Sequence, residues 1–145
     1  MNSKIKFIFA FFLVALLASS GLRPAFAMDD HLHVLIDIKP GSYPNAINLE
    51  SPGMLPVALL GNSDFSVSSV DTDMVKFGRM HEFDSGASPV HFASKDVNSD
   101  GFIDIVFHFK IQETGLTSSD AEACLHGMLL DGTHFCGHDS IKIVP

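Results

Sequence analysis

Residues 96–110 read Asp96-Val97-Asn98-Ser99-Asp100-Gly101-Phe102-Ile103-Asp104-Ile105-Val106-Phe107-His108-Phe109-Lys110, and the fold turns on this stretch. Oxygen-bearing side chains stand at the first, third, fifth and ninth positions, with glycine at the sixth. That is the ligand order of a calcium loop of the EF-hand type. A hard cation takes roughly six to eight oxygens, so short carboxylates and amides on alternate residues must curl around one point. Gly101 allows the sharp turn, the Phe102 carbonyl can add an oxygen, and Asp104 can bind directly or through water. The twelfth position, where a helix-pair site carries a bidentate Glu, is Phe107. Residues 103–110 alternate weakly and are rich in Ile, Val and Phe, which predicts a strand. The metal ligands expected here are Asp96, Asn98, Asp100, Phe102 and Asp104, in a turn between two strands rather than between helices. Any further ligand would be water or a distant carboxylate. The same residue types also make a polar turn without an ion.

Working outward, no segment beyond the N-terminus shows sustained helical periodicity, and turn residues recur at the spacing of a β-sandwich. Strands are expected at 33–38, 46–49, 55–60, 74–77, 90–95, 103–110, 121–129 and 133–144. Lys39-Pro40-Gly41-Ser42 and Ser51-Pro52-Gly53 punctuate the first of them. Pro56, near the start of its run, fits an entry position. Residues 90–110 form an expected hairpin around the loop, and Asp131-Gly132 marks a last one. The fold class predicted is an all-β antiparallel sandwich of seven to eight strands.

The first 27 residues read as a cleaved export signal: Lys4 and Lys6, an apolar core at 5–17, and Ala25-Phe26-Ala27 as the cleavage site. Export with cleavage leaves a domain at 28–145, large enough for one core. It keeps six basic residues against 17 acidic ones, a net charge near −11 with neutral histidine. Such a surface disfavours nucleic acid and anionic lipid and favours cations. No second apolar run is long enough to span a bilayer. The expected location is secreted or periplasmic.

Both cysteines, Cys124 and Cys136, lie in the exported part, where an oxidising compartment makes a disulfide the natural expectation. Two buried thiols, or a soft metal site with His126, His134 and His138, are the alternatives. A two-residue hairpin at Asp131-Gly132 would pair Leu130 with Thr133. It would then put the cysteines on opposite faces unless a bulge shifts the register.

The order of segments resembles a family of secreted bacterial β-domains that is mostly uncharacterised. The shared features are Ile36-Asp37-Ile38-Lys39-Pro40-Gly41-Ser42, Pro44-Asn45 with Ile47-Asn48, Pro56-Val57-Ala58-Leu59-Leu60, and Phe65 with Val70-Asp71. They continue through Val75-Lys76-Phe77-Gly78, Pro89-Val90-His91, the Asp96 loop leading to His108-Phe109, Thr114-Gly115 and Asp139-Ser140-Ile141. The resemblance implies an all-β calcium-binding module, often attached to larger exported or surface proteins, with no known catalytic activity. The family's loop usually has Asp at the third position. Asn98 here removes one negative charge and is expected to weaken binding.

Eight histidines raise a transition-metal reading. His31 and His33 alternate near the mature N-terminus, where imidazoles on one face could share an ion. His91 and His108 flank the loop hairpin and read as structural. His126, His134 and His138 have no ligand-motif spacing. There is no Gly-x-Ser-x-Gly or His-Glu-x-x-His. Trp is absent and Tyr43 is the single tyrosine, which counts against stacking of sugars. Of the 13 phenylalanines, several belong to the signal, and most of the others sit at strand positions and read as core. The function expected is a non-enzymatic, exported Ca2+-binding module for adhesion or assembly, with a surface protein or polysaccharide as the macromolecular partner. A small hydrolase with a site not visible in motifs, and a periplasmic transition-metal binder, are the other readings.

Overall fold

The computed structural model describes residues 31–145. The expected export signal lies outside the described residues. Ten strands follow in order: β1 Leu32–His33, β2 Leu35–Ile38, β3 Ala46–Asn48, β4 Met54–Leu60, β5 Val70–Arg79, β6 His91–Lys95, β7 Asp104–Lys110, β8 Glu122–Leu129, β9 His134–Ser140 and β10 Lys142–Val144. They form one sheet ordered β1-β9-β8-β5, a second ordered β2-β4-β7-β6, and a β10-β3 ribbon. Single helical turns at Val67–Ser69 and Ile111–Glu113 are the helical elements among these residues. No helix there is long and apolar enough to cross a membrane. The all-β sandwich expectation holds.

Alternation explains which sheet faces meet. In β7, Ile105, Phe107 and Phe109 are buried while Val106 and His108 are half-buried. From the other sheet Phe77, Leu125 and Phe135 join the same core. Phe77 stacks on Phe109 with ring centroids 5.2 Å apart. Such pairs add on the order of 1 kcal/mol beyond the area they bury. Phe83, Phe92 and Phe102 depart from the core expectation and stay substantially exposed.

Two expected strands are each divided in two. The run at 33–38 breaks at Val34: β1 pairs in parallel with β9, and β2 pairs antiparallel with β4. One short run thus serves both sheets. Likewise 133–144 breaks at Ile141, after which β10 runs parallel to β3. These crossings account for the extra strands.

The lacing at the break explains several sequence hallmarks. The Asp139 carboxylate accepts from the Ile38 backbone N–H and from Asn45 Nδ2, each at 3.0 Å. Asn45 Nδ2 also donates to the Ser140 carbonyl at 2.9 Å. Burial and the Asp139 charge raise the pKa of Asp37. The Ile-Asp-Ile and Asp-Ser-Ile segments are therefore joined as structure.

The last hairpin corrects the expected register. Its loop holds Leu130, Asp131 and Gly132, closed by Leu129 N–H to the Thr133 carbonyl at 2.8 Å. Gly132 has φ +88°, the left-handed position that ends a three-residue hairpin loop. The resulting pairs are Cys124 with His138, His126 with Cys136 and Met128 with His134. Both cysteines consequently share one face.

Candidate functional site

The loop at 96–104 joins β6 to β7, and the expected hairpin is present, with Lys95 paired to Asp104 and His91 to His108. Ser99 at φ +58° and Gly101 at φ +89° turn the chain back on itself. Asp96 Oδ1 and Asn98 Oδ1 accept from the same amide, that of Asp100, at 3.3 and 3.4 Å. Asp96 Oδ2 accepts from Gly101 N–H at 2.9 Å, and Asp100 Oδ1 from Phe102 N–H at 2.9 Å. Three of the expected ligand side chains thus converge on consecutive amides at the exposed tip.

Asp104 differs from them. It is 0 % exposed. Its Oδ1 accepts from Gly61 N–H at 2.8 Å, and its Oδ2 from Val97 N–H at 2.9 Å. The structure brings together Asp96, Asn98 and Asp100 and holds Asp104 beneath them as a brace between the loop and the end of β4. Phe102 is partly exposed, its amide bonded to Asp100. Among the described residues no group of three or more His, Cys, Asp or Glu side chains stands close enough to hold a metal. The amide of Asn98 and the Phe102 carbonyl lie outside that donor class.

The disulfide expectation is corrected. Cys124 and Cys136 are free thiols whose sulfurs lie 3.0 Å apart, beyond the roughly 2.05 Å of a covalent bond. The two thiols lie in direct contact. The Cys124 hydrogen bond pulls the Cys136 pKa down to about 7, against the effect of burial, and His31, His138 and His33 push the same way. Cys124 keeps its proton, its pKa raised by the same hydrogen bond and by burial.

The outward face of the β1-β9-β8-β5 sheet brings together the cysteines and His126, His134 and His138, the set the sequence offered as an alternative to a disulfide, and adds His31, His33 and Met128. Cross-strand partners share a face, so register sets His33 beside Cys136, Cys136 beside His126, Cys124 beside His138 and Met128 beside His134. His31 extends the patch, its ring 5.8 Å from that of His134 and stacked on Phe83 at 5.2 Å. His138 also meets Glu122 at 3.4 Å. The residue types were visible in the sequence, but their adjacency depends on the three-residue loop.

His91 and His108 stack with centroids 4.3 Å apart, as flanking structural residues would. Burial first, and His91 second, lower the His108 pKa. No protein-family model, curated protein or solved structure matches the chain.

Proposed function

We propose that this chain is an exported, non-enzymatic β-sandwich module whose loop at 96–104 binds Ca2+ as a structural ion, leaving the surface for adhesion or assembly. The observation that supports this reading is the convergence of Asp96, Asn98 and Asp100 on the amides of residues 100–102, at an exposed tip. Carboxylate, amide and carbonyl oxygens are the donor set that calcium takes. In this reading Asp96, Asn98, Asp100 and the Phe102 carbonyl bind the ion. Asp104 contributes through a water while its oxygens keep Gly61 and Val97 in place. The resemblance to secreted calcium-binding domains and the acidic surface point the same way.

Without an ion, Asp96 and Asp100 repel each other across the tip. The missing bidentate ligand and the neutral Asn98 place the site among weak extracellular ones, with Kd on the order of 10⁻⁴ to 10⁻³ M. Thermal melting of the purified domain in millimolar Ca2+ and in chelator tests the proposal. A higher Tm in calcium, absent in Asp100→Ala, is the expected result. An unchanged Tm in both solutions would reduce the loop to a polar turn.

A further inference from the structure

His126 is 7 % exposed. One ring nitrogen bonds the Ser85 backbone, and the other, Nε2, is buried without a partner. Burial keeps the ring neutral, helped by Lys76 and His31 and opposed by the Ser85 bond and Asp84, and the net pKa is lowered. A neutral imidazole that donates through one nitrogen to a carbonyl presents a lone pair on the other, which is how histidine is fixed as a metal ligand. His126 lines a cleft of about 250 Å³ together with His31, His134, Met74, Met128 and Phe83. Phe83 meets the His126 ring edge-on at 5.4 Å and stacks on His31, screening the cleft.

We infer that this cleft binds a soft monovalent cation of the Cu(I) class, held by His126 Nε2, His134 and the thioether sulfurs of Met74 and Met128. The donor types select the metal. Two imidazoles, His126 and His134, face the cleft with the thioethers of Met74 and Met128 among its lining. Thioether sulfur completes the count, and it is a donor that prefers Cu(I). Asp73, Asp84 and Lys76 also line the cleft. This inference is independent of the calcium loop.

The test is a titration of the purified exported domain with Cu(I), kept reduced by ascorbate, against a chromophoric Cu(I) chelator. One equivalent should move to the protein. His126→Gln and Met128→Leu should each weaken binding by about tenfold or more. The paired Cys124→Ser, Cys136→Ser variant should bind as before. X-ray absorption should show nitrogen and thioether sulfur, with less sulfur in Met128→Leu. Met128→Leu conserves volume, so it carries the test if His126→Gln fails to fold. No transfer of copper, or copper lost with the cysteines and kept in Met128→Leu, would overturn the inference.

Discussion

The loop at 96–104 and the histidine face of the β1-β9-β8-β5 sheet both gather metal-type donors, and they do so in opposite ways. At the loop, oxygens are supplied by neighbours in sequence and are already engaged by local amides. On the sheet, nitrogens and sulfurs come from separate strands, and one buried nitrogen is left unengaged. A loop of the first kind is preorganised by its own backbone and reads directly from sequence. A face of the second kind exists only once register is set. In the readings proposed above, the first would hold a hard ion through oxygens and the second a soft one.

The largest effect should come from the brace beneath the loop. Asp104→Ala strands one buried and one half-buried amide donor, at roughly 1–3 kcal/mol each. Urea unfolding should therefore show a loss of about 2–5 kcal/mol, with or without calcium. Asp100→Ala, at the exposed tip, should stay within about 0.5 kcal/mol of the parent in chelator. Equal losses for the two variants would erase the distinction between brace and ligand. Next in size is calcium itself, which should stabilise the parent by about 2.7 kcal/mol when free ion exceeds Kd a hundredfold. The same titration on the paired cysteine-to-serine variant should give the same shift, since the two regions share no residue.

A smaller effect is expected from acid. The unfolded chain takes up histidine protons near pH 6.5. The folded chain resists until lower pH at His126, because of burial, Lys76 and His31, and at His108, because of burial and His91. Stability is therefore full above about pH 6.5 and falls as pH drops from there toward the depressed folded values. Tm should decline by a few degrees across that window, and His126→Gln should flatten the decline. The smallest expected change is chemical rather than thermal. With both thiols reduced, iodoacetamide should label Cys136 well before Cys124, with half-maximal rate near pH 7. Equal labelling would show that the two thiols do not differ in acidity and exposure as expected.

How far these regions were legible follows from the same contrast. The 90–110 hairpin needed only local pattern: a ligand-ordered turn, a glycine at its sixth position and a β-rich run after it. The core phenylalanines at 77, 107, 109 and 135 followed from strand periodicity. The divided strands did not, because Val34 and Ile141 carry no breaking residue; the chain leaves one sheet for another where sheet geometry, not propensity, requires it. The cysteine placement failed for a single reason. Asp131-Gly132 signals a two-residue turn as strongly as it signals the end of a three-residue one. One residue of register decides which side chains meet, and with it the whole soft-donor face.

Asp104 also has a dynamic consequence. A single carboxylate holds amides that are 43 residues and seven residues away from it in the chain. Neither amide can exchange its proton with solvent unless that grip is released. Hydrogen exchange at Gly61 and Val97 should then proceed as one event, so that the end of β4 and the start of the loop open together as a single cooperative unit.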